Sequence, residues 1–412
     1  MKKALVLSAL FASSTLFAEH SLSQLLEVAD QSDLVAVYSH QEAAAQQNGS
    51  AVKRAYIPKL QIGGSATFVD EKGSIDVGET YVGYGKVQAV VFDGFKRENM
   101  FDEYNERSRA ASAQRQGYQK SLALDVTKAY YNLLDIYGDI DAQTQSEKQL
   151  QEELKRQQRF AQARIVTDEQ VARIEAALAN ARYRIEALQF EADTMKANIK
   201  TMTGIEVDTL KRNTLTLSLD HDRKELDTIG ALRHDANAMR YLAKQSSSVY
   251  YPSLIIDDTY SFYDYDDYSD AFPLDRVEKQ NRLSILLEMT LFDSFGASKQ
   301  KEALLSQAMA LQSQLAYESK RADANLELAK RGIERSEALL KAAKSALDAS
   351  LKTFDVIEKK YQAKIVDYVK YLDALYQKRD AQAQYNRAQN AKEVAYANYI
   401  YQSGLDIKEY VQ

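Results

Sequence analysis

Val90-Val91-Phe92-Asp93-Gly94-Phe95 closes a run of alternating residues and opens a helical pattern too long for an ordinary globular domain. The same aromatic, acid, small residue and aromatic recur at Thr290-Leu291-Phe292-Asp293-Ser294-Phe295, again between an alternating run and a long polar and apolar helix. Two further anchors keep this order. Ala55-Tyr56-Ile57-Pro58-Lys59-Leu60 is answered by Val249-Tyr250-Tyr251-Pro252-Ser253-Leu254 ahead of each alternating run, and Ala163-Arg164-Ile165-Val166 by Ala363-Lys364-Ile365-Val366 behind each helix. Repetition at this length, well beyond solenoid periods, reads as a duplication in which each half supplies equivalent parts to one architecture.

Before each hinge the period is that of a strand. Leu60, Ile62, Gly64, Ala66 and Phe68 alternate with Gln61, Gly63, Ser65 and Thr67, and Gly83, Gly85, Val87, Ala89 and Val91 with Val82, Tyr84, Lys86 and Gln88. A hairpin over about 59–93 follows, with its turn at 71–80. In the second copy Leu254, Ile256, Tyr260 and Phe262 oppose Ile255, Asp257, Thr259 and Ser261, with Asp258 on the apolar side. Leu283, Ile285, Leu287, Met289 and Leu291 oppose Arg282, Ser284, Glu288 and Thr290, which predicts a hairpin over about 253–293. Arms of roughly ten residues with one apolar face suit transmembrane strands and half-buried soluble ones alike. Phe262-Tyr263-Asp264-Tyr265-Asp266-Asp267-Tyr268 reads as an exposed acidic loop beyond an aromatic belt, without the regular ligand spacing of a calcium site.

Behind each hinge the pattern is helical. Residues 95–163 contain no proline, and at 1.5 Å per residue they give roughly 100 Å of helix. In the second copy Leu326, Ile333, Leu340, Leu347, Phe354 and Tyr361 recur every seven residues, with Ala329, Ser336, Ala343, Ser350 and Ile357 three places later. That is a coiled-coil seam with one large and one small row. The first copy keeps Val126, Leu133, Ile140 and Leu154, with Glu147 interrupting. Each helix reverses near Ile165-Val166 or Ile365-Val366 and returns to a stop at Thr203-Gly204 or Ser403-Gly404. Helical hairpins are therefore expected over about 95–203 and 296–402. A helix over 21–48, capped by Ser21 or Ser23, is matched by one over 226–245. The repeats so defined span 19–204 and 226–404, with a mixed linker at 205–225 and a tail at 405–412.

Composition agrees with few compact folds, since 412 residues contain only 3 Pro and 15 Gly. Lys2 and Lys3 precede an apolar run ending at Phe17-Ala18, so residues 1–18 read as a removable signal peptide and the chain as exported. Loss of the two lysines takes the net charge from -6 to -8, which argues against nucleic acid as a partner. Cysteine is absent, excluding disulfides, thiol catalysis and lipidation through an amino-terminal cysteine. No later run of about 18 apolar residues occurs, so a membrane-spanning part would have to be built of strands. His20, His40, His221 and His234 do not cluster, and no glycine-rich phosphate loop is present. No enzymatic activity, cofactor or metal is expected.

Four strands cannot close a membrane barrel, because about eight are the minimum and an open edge in lipid leaves backbone groups unpaired. Other copies must close it, and three give twelve strands with a lumen wide enough for water. A different class of protein, a periplasmic or surface coiled-coil structural or adaptor protein with soluble hairpins, would need a cover for Leu283, Ile285, Leu287, Met289 and Leu291.

In the order and double occurrence of these hinges, tyrosine-proline turns and helical turns, the chain resembles the outer membrane efflux protein family, the TolC-like trimeric channel-tunnels. The resemblance runs from Ser21 to about Gly404. It implies a mainly α fold with a transmembrane β part: long coiled-coil helical hairpins and two β-hairpins per chain, forming a homotrimeric twelve-stranded β-barrel and a twelve-helix periplasmic α-barrel. It further implies an outer-membrane exit duct for tripartite efflux or type I secretion, docked to a periplasmic adaptor (membrane fusion) protein and an inner-membrane pump of RND, ABC or MFS type. Tyr361 and Asp373 fit the family pattern of residues lining the periplasmic entrance. Arg164 and Lys364 stand where the family has glycine at the turns, and Gln170 and Lys370 where it has aspartates, so a strongly acidic entrance ring is not implied. Ile165-Val166 and Ile365-Val366 remain an apolar pair at each tip, suited to an adaptor. At the hinges, Phe92, Phe95, Phe292 and Phe295 are expected at the lipid interface, Asp93 and Asp293 as helix caps, and Gly94 and Ser294 as the bend.

Overall fold

The computed structural model describes residues 19–71, 77–218, 223–268 and 275–412. The expected signal peptide, His221 with its flanking aspartates, and parts of both hairpin turns lie outside these residues. The chain forms two compact units, and each draws on both sequence repeats.

One unit holds residues 38–115 and 227–319. Its sheet has four antiparallel strands, β2 (Lys59–Phe68), β3 (Val77–Asp93), β5 (Ser253–Tyr268) and β6 (Lys279–Glu288), in the order β2-β3-β5-β6. The register runs continuous cross-strand rows through all four strands. Ile62, Gly85, Tyr260 and Asn281 form one row, and Gln61, Lys86, Thr259 and Arg282 the next. The apolar face is bare, with Leu60 73% and Ile62 86% exposed and Leu283, Ile285 and Leu287 exposed beside them. Phe262–Tyr268 is not the expected exposed loop. It continues β5, because the 17-residue β3 offers ladder partners beyond the ten-residue arm, with Val82 opposite Tyr263 and Thr80 opposite Tyr265. The return strand stops at Glu288, and Met289 to Leu291 lead irregularly into the second hinge.

The expected helix over 21–48 is broken. The described chain starts with β1 (Glu19–His20); α1 (Leu22–Ala29) begins at a capping box between Ser21 and Gln24, and α2 (Asp33–Arg54) runs through Asn48-Gly49 instead of ending there. Gly49 is tolerated in mid-helix because Tyr104 packs against it, its Cβ 3.7 Å from where a side chain would begin.

The second unit holds residues through Val37, 116–226 and 320–412. It contains most of α3 (Lys96–Gln162) and α6 (Gly296–Gln362), each 67 residues long, and the return helices α4 (Asp168–Thr203) and α7 (Tyr368–Gln402). The heptad reading holds in its packing: Ala329, Ile333, Ser336, Ala343, Leu347, Phe354 and Tyr361 are buried. Glu147, the interruption in the first copy, is held by Arg182 Nε of α4 at 2.9 Å, so the misplaced acid gains a partner. The helices end where glycine permits: Gly204 at φ 75° and Gly404 at φ 73° are left-handed caps. The linker forms β4 (Thr209–Leu210), parallel to β1, and Asn213 gathers this corner through Leu22 N, Tyr130 Oη and the Gln412 carbonyl. No helix among the described residues is long and apolar enough to cross a membrane.

Candidate functional site

Both hinges turn through two successive left-handed residues. Gly94 has φ 68° and Phe95 63°, and Ser294 and Phe295 have 56° and 65°. A side chain at Gly94 would lie 2.6 Å from the Ser248 carbonyl oxygen, so the first hinge admits glycine alone, whereas Ser294 shows the second has room for a hydroxymethyl group. The aspartates cap the helices as expected, from two residues outside: Arg97 N donates to Asp93 Oδ1 at 3.3 Å and Ala297 N to Asp293 Oδ2 at 2.8 Å. Phe92 and Phe292 meet Phe95 and Phe295 edge to face at 5.2 and 5.8 Å.

The tyrosine-proline turns join these hinges. Tyr250 Oη donates to Asp293 Oδ1 at 2.6 Å, and the equivalent Tyr56 hydroxyl is hydrogen bonded to Asp93. Burial, and then that bond, pushes the Tyr56 pKa up to about 12. A bulge between Val90 and Phe92 breaks the ladder, and Arg97 Nη2 donates to the Val90 and Val91 carbonyls at 3.3 and 3.1 Å.

At the opposite ends of α3 and α6 the turns are built alike. Arg164 and Lys364 sit at φ 57° and 60°, the left-handed position of a helix stop. Ile165 N donates to the Phe160 carbonyl at 2.9 Å and Ile365 N to that of Lys360 at 2.8 Å, which satisfies carbonyls the helix leaves open. The backbone thus has the conformation of a glycine turn although the residues are basic. Asp367 caps α7 by accepting from Lys370 N at 2.9 Å, while Thr167 leads α4 without a side-chain cap. Ile165 and Ile365 are 57% and 71% exposed.

Ile165, Val166, Gln170, Tyr361, Lys364 and Val366 line one cleft of about 290 Å³. Arg164, Ile365, Lys370 and Asp373 stand outside it. Beneath the cleft Tyr361 Oη donates to Glu153, Gln157 Nε2 donates to Tyr361 Oη at 2.7 Å and to Glu153 Oε1 at 2.6 Å, and Arg156 pairs with Glu153 at 2.6 Å. Tyr361 stacks on Tyr371 at 4.7 Å between ring centroids and under the Arg156 guanidinium at 4.8 Å. Burial, followed by the bond to Glu153, pushes the Tyr361 pKa up to about 12. The network ties α3 to α6 by a buried carboxylate whose partners come from both helices.

Several solved structures share this arrangement from end to end. The chain matches CusC, a protein described in transmembrane channel formation, with a TM-score of 0.80 over 96% of each chain at 13% identity. It matches the outer membrane protein VceC of Vibrio cholerae at 0.79 over 94% of this chain and 96% of that one, 14% identical. It matches the Campylobacter jejuni CmeC outer membrane channel at 0.81 over 93% and 85%, 12% identical. The fold is that of the outer-membrane channels. By sequence, neither a protein-family model nor a curated protein matches the chain.

Within this fold the repeated turns at 164–166 and 364–366 and the repeated hinges are marked in the sequence, whereas the network joining α3 to α6 was not anticipated from it. Glu153, Arg156 and Gln157 lie at helical spacings of three and four residues, and Tyr361, Tyr368 and Tyr371 repeat at seven and three, so each set shares one helix face. That signal was readable; the pairing of the two faces needed the structure.

Proposed function

We propose that this chain is one protomer of a homotrimeric outer-membrane exit duct, exported by its signal peptide, unlipidated, with a periplasmic extension. The observation that carries this reading is a four-stranded sheet with one bare apolar face and two edge strands, β2 and β6, joined through left-handed hinges to helices of 67 residues. An open edge in lipid costs several kcal/mol per unpaired backbone group. Edge pairing between three copies closes twelve strands around the polar face. The helices continue the lumen into the periplasm, and substrates pass from an inner-membrane pump of RND, ABC or MFS type through a periplasmic adaptor, in efflux or type I secretion.

In this reading the tips are the docking knobs and the entrance. Ile165 and Ile365 offer exposed apolar side chains framed by Arg164 and Lys364, while Gln170 and Lys370 lie on the first turns of the return helices and Asp373 on the second turn of α7. The Tyr361–Glu153 network holds the two helical hairpins of one protomer together. Heat-modifiable trimers in outer-membrane fractions, with single-channel conductance of the purified protein in planar bilayers, test the proposal. A monomeric soluble periplasmic species without conductance rejects it.

A further inference from the structure

The polar face of the sheet carries its charge unevenly. One cross-strand row holds Gln61, Lys86, Thr259 and Arg282, and the next holds Lys59, Gln88, Asp257 and Ser284. Asp257 lies 3.7 Å from Lys86, so three cations face a single carboxylate. The flanking rows are neutral: Gly63, Tyr84, Ser261 and Gln280 toward the hairpin ends, and Val90, Ile255 and Leu286 toward the hinges. The other acids of this face stand beyond these rows: Glu278, whose carbonyl accepts from Tyr263 N at 2.8 Å, Glu288 opposite Ser253, and Asp267 beside Gly78.

We propose that Lys59, Lys86 and Arg282 form an anion-selecting belt inside the barrel, favouring cargo that carries a carboxylate, phosphate or sulfate group. The proposal rests on the reading of this chain as a duct, in which the polar face lines the water-filled lumen. Rings of lysine and arginine select anions in pores, because low-dielectric walls focus their field on the aqueous path. Three copies repeat the surplus around one lumen. At 0.1 M salt the screening length is about 10 Å, comparable with a pore radius, so the belt acts on the whole cross-section. Arg282 adds a fork of donors matched to carboxylate and phosphate oxygens, and Gln280 fixes it by accepting from Nη2 at 3.1 Å.

The test is the reversal potential of the purified trimer in planar bilayers under a potassium chloride gradient. The wild-type duct is expected to reverse on the anion-selective side. Lys86→Gln with Arg282→Gln should lose that preference, Asp257→Asn should increase it, and the charge-keeping pair Lys86→Arg with Arg282→Lys should retain it. Tripolyphosphate added on the hairpin side should reduce wild-type current and leave that of the neutralised variant unchanged. Normally conducting channels of the neutralised variant with a wild-type reversal potential would overturn the belt and leave the duct standing. A wild-type protein that forms no channel overturns both.

Discussion

Tyr250 Oη donates to Asp293 Oδ1 at 2.6 Å, joining the residue that precedes one strand to the residue that opens the helix after the next. The bond closes the second hairpin at its base, and Tyr56 with Asp93 closes the first in the same way. The Tyr250 bond, then the donated Ala297 N–H, hold the Asp293 carboxyl below the usual carboxylate range. A depressed acid contributes stability that is full above its unfolded value near 4 and is lost as pH falls through the folded value. In the proposed trimer, the temperature of dissociation on gels should therefore drop more steeply below about pH 4 in the wild type than in Asp293→Asn. Tyr250→Phe should lessen the acid dependence.

Gly94→Val should cost about 1–3 kcal/mol at the hinge, because valine resists φ 68° and its Cβ would meet the Ser248 carbonyl oxygen. The expected outcome is a loss of trimers from outer-membrane fractions with helix content by circular dichroism nearly unchanged. Equal trimer yield would count against the assignment of Gly94 to the bend.

Arg164→Gly and Lys364→Gly should each stabilise the chain by about 1 kcal/mol, since both residues hold left-handed backbone that glycine adopts without strain. Thermal midpoints measured for each variant and for the pair check this, and a falling midpoint would show that the basic side chains stabilise the turns more than their backbone strains them.

Tyr361 and Tyr368 lie seven residues apart, both buried, and should respond differently to loss of the hydroxyl. Tyr361→Phe removes a donor to the buried Glu153 and should cost about 1–3 kcal/mol, with faster amide exchange in the tips and a larger single-channel conductance. Tyr368 Oη is buried with no hydrogen-bond partner among the described residues, so Tyr368→Phe should be neutral or stabilising by up to about 1 kcal/mol.

Asp135 lies half-buried on α3, accepting from Asn390 Nδ2 at 2.7 Å, and burial pushes its pKa up to about 6. Between about pH 4 and 6 the folded protein binds the proton that the unfolded chain has released, so stability falls as pH rises through that window. Asp135→Asn should flatten the fall and raise stability at pH 7 by up to about 3 kcal/mol, less where water reaches the group. Denaturant midpoints at pH 4.5 and 7 measure it.

The alternation around Leu60 and Leu283 and the seven-residue rows of Ile333, Leu347 and Phe354 were legible because each follows from the local geometry of a single element. The break between α1 and α2 was not, since Asp30, Gln31 and Ser32 are permissible in a helix and only packing decides against them. The strand beyond Phe262 was hidden for a similar reason. Tyrosines alternating with acids read as a loop until β3 is seen to supply their ladder partners.

The duplicated parts and their order, strand hairpin, hinge, long helix, turn and returning helix, are each written locally in the chain, in a period or a stop signal within a few residues. The pairing of β3 with β5, the reach of Tyr56 and Tyr250 to the hinge aspartates, and the meeting of Glu153 on α3 with Tyr361 on α6 emerge from the folded chain alone. These contacts join residues dozens to hundreds of positions apart, and no local preference of the chain encodes the closure of such long loops.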